Sequence, residues 1–140
     1  MIRRALGPAV FVAVALATAG CVHYPTVMEA GGTMLRPDRG RLVRQGMNAV
    51  VYFEVKSTGK YGDIINSVHT PVAREAKLVD GAGAPLERLE VPGTTVMTFT
   101  ASGPHVVLTD LTRPLVAGET VIVTLVFEKS GGLGLIAAVE

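Results

Sequence analysis

Cysteine occurs once in this chain, tryptophan not at all, and aromatic residues make up only 5% of its 140 positions. A single thiol cannot close a disulfide within the chain, which excludes a disulfide-stapled scaffold. Charge of one sign is missing too. Thirteen Lys and Arg stand against twelve Asp and Glu, a formal charge of +1, so bulk charge attracts no nucleic acid. Charged residues amount to 18% against 49% hydrophobic, with a mean hydropathy of +0.42, which fits neither a disordered tail nor a coiled coil. The length allows one domain, or one domain and an export segment.

The apolar excess is concentrated at the start. Arg3 and Arg4 precede an uncharged run from Ala5 to Ala19, closed by Gly20 and Cys21. Charge, a short apolar stretch and small residues at a cleavage point make the plan of a secretory signal peptide. The run is shorter than the roughly 20 apolar residues a membrane span needs, and Pro8 weakens it as a helix. Cys21 after Thr18-Ala19-Gly20 resembles the bacterial lipobox, with Thr18 where Leu is usual. That resemblance implies lipidation of Cys21 and a membrane anchor; the alternative is ordinary cleavage that leaves a free thiol. Losing residues 1 to 20 removes two Arg and no acid, taking the formal charge from +1 to −1 and leaving 120 residues. Such a chain is long enough to be held together by a hydrophobic core.

Residues 22 to 46, punctuated by Pro25, Gly31, Gly32, Pro37 and Gly40, read as a tether leading into a domain over 47 to 140. From Met47 the pattern changes to period two. Ala49, Val51, Phe53 and Val55 alternate with Val50, Tyr52, Glu54 and Lys56, the mark of a strand with one buried face. Further strands are predicted over 64 to 69, 74 to 79, 86 to 91, 94 to 100, 105 to 108, 119 to 128 and 133 to 139, separated by turns such as Asp80–Pro85 and Ala101–Pro104. Short strands, Gly/Pro turns and no helical periodicity predict an all-β fold, an antiparallel β-sandwich.

Catalytic constellations are lacking. His23, His69 and His105 accompany no Gly-x-Ser-x-Gly elbow, no phosphate loop, no His-Glu-x-x-His and no Cys-x-x-Cys, so no nucleophile or cofactor motif is present for them to serve. Glu87 and Glu90 fall on opposite faces of a strand. The expectation is a protein that is not an enzyme.

Several segments in fixed order resemble one family. They are Val50-Val51-Tyr52-Phe53 with Ser57-Thr58-Gly59, Ser67–Ala73, Glu90-Val91-Pro92, Gly103–Leu108, Leu111-Thr112-Arg113-Pro114-Leu115, Gly118–Val121 and Leu125–Gly131. Together they are similar to the PCuAC family of periplasmic copper chaperones over roughly residues 47 to 131. The resemblance implies a cupredoxin-like, Greek-key β-sandwich that holds Cu(I) and passes it to partners such as an oxidase subunit. With the lipobox-like Cys21 and the balanced charge, the expectation is no nucleic-acid partner and a location outside the cytoplasm, lipid-anchored and facing the periplasm or the cell exterior.

Cu(I) is soft and is held by thioether and imidazole donors. In the family these are a late His-x-Met pair, an earlier His or Met, and a Met in the hairpin that follows it. The late His falls on His105, but its Met partner falls on Val107 and the earlier ligand on or near Val79, while Asp80–Leu89 contains no Met. Auxiliary candidates are Met28, Met34 and His69, followed by His23, Met47 and Met97. Two readings follow: a Cu(I)-handling lipoprotein using His105 with unusual partners, or a metal-free β-sandwich serving protein interaction or envelope assembly. Arg36, Arg39, Arg41 and Arg44 form a basic group that could either lie on anionic headgroups or be solvated and balanced by nearby acids.

Overall fold

The computed structural model describes residues 34–140. Cys21, His23 and Met28, and with them the leader and most of the tether, lie outside the described residues. Nine strands account for the regular structure of the described residues: β1 Leu35–Gln45, β2 Asn48–Ser57, β3 Asp63–His69, β4 Ala73–Val79, β5 Leu89–Val91, β6 Thr95–Phe99, β7 His105–Leu111, β8 Thr120–Phe127 and β9 Gly131–Val139. Among the described residues there is no helix.

The strands follow the alternation of the sequence. In β2 the side chains of Ala49, Val51, Phe53 and Val55 are buried, and in β8 those of Val121, Val123, Leu125 and Phe127. Successive side chains on a strand point to opposite faces, so each set covers one face. Both sets join one core with Leu42, Ile65, Phe99, Leu108 and Leu135. Phe53 and Phe99, opposite each other on β2 and β6, stack at 4.1 Å between ring centroids.

The sheet order is β4-β7-β2-β1-β9-β8-β3-β5, with β6 continuing beside β2 where β7 stops. The sheet therefore curls over its core as a cupredoxin-like sandwich, as expected. Two features differ from the sequence reading. One junction is parallel: Gly40, Arg41 and Leu42 pair with Ala137, Ala138 and Val139. Period-two alternation is the same for parallel and antiparallel neighbours, so the sequence pattern carried no sign of it. The other is β1, which occupies residues 35 to 45, within the stretch read as tether. Its alternation is broken by a bulge between Asp38 and Arg41, where Arg39 takes a φ of 54°, and an extra residue in a strand shifts the phase of everything after it.

Gly40 makes the parallel junction feasible. A Cβ there would stand 2.5 Å from the carbonyl oxygen of Ile136 and 3.0 Å from the Cα of Ala137, so only a residue without a side chain lets β1 come against β9. The hairpin from β1 to β2 turns on Gly46 and Met47, with Gln45 opposite Asn48. Gly46 has a φ of 66°, the left-handed conformation that a two-residue hairpin loop needs at its first position. Smaller boundary differences have local causes. The segment 86 to 91 keeps only Leu89–Val91 as strand, because Leu86 instead donates its N–H to the Leu78 carbonyl at 2.8 Å, folding the 80–86 turn back on β4. β7 runs on to Leu111, three residues beyond the expected end.

Candidate metal centre

His105 opens β7 directly after the Ala101–Pro104 turn. Its Nδ1 lies 3.0 Å from the Gly103 carbonyl oxygen. A carbonyl can only accept, so Nδ1 carries the proton and, in the neutral imidazole, the lone pair is on Nε2. That is the arrangement in which an imidazole is oriented for a metal or another acid by a backbone contact on its other nitrogen. The ring is half-buried. It packs against Tyr52 of β2 at 5.8 Å with the planes tilted by 59°, and Tyr52 in turn lies 5.8 Å beneath the Arg41 guanidinium.

The register fixes the neighbours of His105. Val79 of β4 is directly opposite it, and directly opposed residues share a face. Val107, two positions further along β7, points the same way and is flanked by Val50 on β2 and Lys77 on β4. The two positions on which the resemblance places the family's other ligands thus stand beside His105, and both are valines. The adjoining turn is closed on itself, by main-chain bonds from Asp80 N to the Ala84 carbonyl and from Gly83 N to the Asp80 carbonyl and by the Asp80 side chain. Asp80 Oδ1 accepts from Ala82 N and Ala84 N, each at 2.9 Å, and no sulfur lies between Asp80 and Leu89.

The auxiliary candidates are not gathered at this point. His69 ends β3, where its Nε2 meets Ser67 Oγ at 3.3 Å, and it lines a groove with Arg74, Glu75 and Lys77 rather than the His105 patch. Met34 lies beside the Leu35–Ser57 end of the β1–β2 pair, its carbonyl accepting from Thr58 N at 3.0 Å. Five residues of β2 separate that end from Tyr52, about 17 Å of strand. Met47 is exposed in the hairpin loop, and its carbonyl accepts from Leu111 N, at the opposite end of β7 from His105. Met97 pairs with Val55 and packs against the core, a gap-filling use of the thioether. Among the described residues no three His, Cys, Asp or Glu lie close enough together to hold a metal. Around His105 the described residues therefore offer copper one nitrogen, which is not a full Cu(I) donor set.

The basic group on β1 is largely engaged. Arg39 pairs with Glu54 at 3.2 Å and Arg41 with Glu140 at 2.6 Å. Arg44 donates to the main-chain carbonyls of Leu115 at 2.8 Å and Glu140 at 3.0 Å. This favours the solvated, balanced reading over headgroup binding. Tyr52 and the Gly103 carbonyl are the site members that sequence reasoning missed. Tyr52 was visible as an outward residue of β2, but its position beside His105 depends on the β2–β7 register.

Curled all-β architecture, strand-borne His105 and the cupredoxin-like layout together define a PCuAC-type domain, and solved structures bear this out. The copper-bound PCuAC domain from PmoF2 superposes with a TM-score of 0.68 at 25% identity, covering 76% of this chain and 92% of that one. The apo PCuAC domain from PmoF1 gives 0.67 at 26% identity, with the same coverage. The solution structure of CuI-DR1885 from Deinococcus radiodurans, at 23% identity and a TM-score of 0.56 over 77% of each chain, shares the fold. Two of these neighbours, the PmoF2 domain and CuI-DR1885, are copper-bound structures. Residues 22–139 match the LpqE-like family, described as "Putative lipoprotein LpqE-like", and the chain belongs to that family. A lipoprotein family accords with a place outside the cytoplasm. No protein of curated function matches the chain by sequence.

Proposed function

We propose that this protein is an exported, lipid-anchored copper-handling domain in which His105 is the residue that meets Cu(I), taken as cargo and not as a resident cofactor. The observation that supports this is the imidazole itself: Nδ1 is tied to Gly103, so Nε2 is the free donor, and it sits in a fold shared with copper-bound domains. Anchoring through Cys21 would hold the domain at the membrane surface, within reach of a copper-receiving protein such as an oxidase subunit. The role is binding and transfer rather than catalysis.

A second reading has its own observation. Val79 and Val107 flank His105 without a donor atom, which favours a sandwich that kept the fold and serves as a metal-free interaction or assembly module. Anaerobic Cu(I) titration against a chromogenic chelator, with His105→Ala alongside, separates the two. The copper reading expects retention of copper at low competitor concentration that disappears in the variant. Equal behaviour of the two proteins would leave the metal-free module standing.

A further inference from the structure

We infer that, whether or not His105 carries copper, the open edge of β9 over residues 131 to 135 pairs with the same edge of a second copy of this chain. The two strands run antiparallel about a two-fold axis at Leu133. The direction of the backbone is the starting point. Val139 N donates to the Glu119 carbonyl on the β8 side, and the β8–β9 register runs unbroken from Thr120 opposite Ala138 to Phe127 opposite Gly131. Alternate residues of a strand turn their N–H and C=O to opposite sides. Leu133, Leu135 and Ala137 therefore face β8 with Val139, while Gly132, Gly134 and Ile136 face the other way. Glu140 agrees, since its N–H goes to the Leu42 carbonyl of β1. β1 accompanies β9 only over Gly40–Leu42. Its bulge ends the ladder there, with the Arg39 N–H taken by Asp38 Oδ1 at 2.9 Å. Gly132 and Gly134 thus turn two N–H and two C=O groups outward, and no strand among the described residues pairs with them.

The chemistry of this edge sets it apart from the others. Sheet edges are ordinarily blunted by charge, by proline or by a covering segment. β4, at the end of the sheet, carries Arg74, Glu75 and Lys77, and Leu86 N covers its Leu78 carbonyl. The part of β1 before Gly40 holds Arg36, Pro37 and Asp38. β9 has no charge and no proline anywhere in Gly131–Val139, and β8 beside it is uncharged as well. Ile122 and Ile136, opposite each other on these two strands, are 57% and 66% exposed, so the outer face that a dimer would extend is apolar already. Outward main-chain groups are complementary to another strand. A neutral edge meets its own copy without like-charge repulsion, and a two-fold axis is the commonest way for identical chains to join. With the axis at Leu133, Gly132 lies opposite the partner's Gly134 and Gly134 opposite the partner's Gly132. Each such pair exchanges two main-chain hydrogen bonds, and glycines bring no side chain that obstructs them. Half-buried Leu133 then meets its own counterpart. Moving the axis to Gly134 would recruit Ile136, whose carbonyl is already directed at Gly40. So short a strip falls below the roughly 800 Å² per partner of a stable interface, which makes the dimer weak and reversible.

The test uses the mature chain with Cys21→Ser, which removes the proposed lipid site and the only cysteine. Sedimentation should show a monomer–dimer equilibrium with a Kd of about 10 μM to 1 mM. Gly134→Lys should weaken it at least about ten-fold, because an edge lysine opposes pairing. A Cβ at Gly134 meets only the Ile122 methyl, at 3.7 Å, so the fold accepts the substitution. Leu133→Cys in the same background should give a disulfide-linked dimer under mild oxidation, since opposed positions without mutual hydrogen bonds lie within disulfide reach. A single species of monomer mass up to about 1 mM overturns the proposal. So does association that Gly134→Lys leaves unchanged, and so does a dimer in which Leu133→Cys does not cross-link, since either places the contact elsewhere.

Discussion

Asp63 shows how much one side chain holds in a small all-β domain. Its carboxylate is 2% exposed. Oδ1 accepts from Ile64 N at 2.8 Å and Lys129 N at 2.9 Å, and Oδ2 accepts from Ser130 N and Ser130 Oγ at 2.8 Å each. The start of β3 is thereby latched to the turn between β8 and β9. Burial by itself pushes the carboxyl pKa up, but the donors of Lys129, Ser130 and Ile64 outweigh it and hold it below the ordinary value of 3.8. A depressed carboxyl binds protons less readily in the folded protein, so its contribution is complete above the unfolded value and lost as pH falls through the folded one. Asp63→Ala strands these buried donors and should cost roughly 2–4 kcal/mol, read as a lowered urea midpoint at pH 7. The gap between variant and parent should narrow as the pH falls below the unfolded value of 3.8 and on through the lower folded one. An unchanged midpoint would show that the turn holds itself. His105 belongs at this scale as well: its candidacy was legible in the sequence, but its tautomer was not, because a carbonyl two residues back, brought round by the turn, decides which nitrogen is free.

Strands were legible in proportion to the regularity of their alternation. β2 and β8, with one face uniformly apolar, were readable at nearly their observed bounds, since period two and burial coincide there. β1 was not, because Arg36, Asp38, Arg39 and Arg41 carry little apolar signal and the bulge interrupts the phase. Its place in the sheet depends on Gly40. Gly40→Val should force β1 and β9 apart and lower stability by at least about 2 kcal/mol, seen as a depressed thermal midpoint; an unaltered midpoint would mean that the junction adjusts freely. Register also governs the candidate metal centre. Because Val79 and Val107 share the face of His105, thioethers installed there would stand beside the imidazole. The double variant Val79→Met, Val107→Met should bind Cu(I) more than about ten-fold tighter than the parent in chelator competition. No gain would show that donor geometry, not donor identity, is what the patch lacks.

At the scale of the whole molecule, the proposed lipid anchor and the closure of the sheet depend on different ranges of the chain. The anchor is a matter of local sequence: Cys21→Ala should move the protein from the membrane fraction to the soluble fraction after cell lysis, and continued membrane association would remove the lipid anchor from the proposal. The closure is a matter of distance along the chain. β1 meets β9 across nearly the whole domain, Gly40 against Ala137, and no local pattern announces a partner so far away. The sequence alone determined what rests on periodicity and short motifs: an all-β domain, its buried faces, its turns, the resemblance to copper chaperones, and the scarcity of Cu(I) donors. Tertiary structure alone decided which edges pair, that one junction is parallel, that two valines stand beside His105 while the described methionines lie elsewhere. The physical reason is that side-chain alternation is a property of one strand, whereas register and convergence are set by packing between strands remote in sequence.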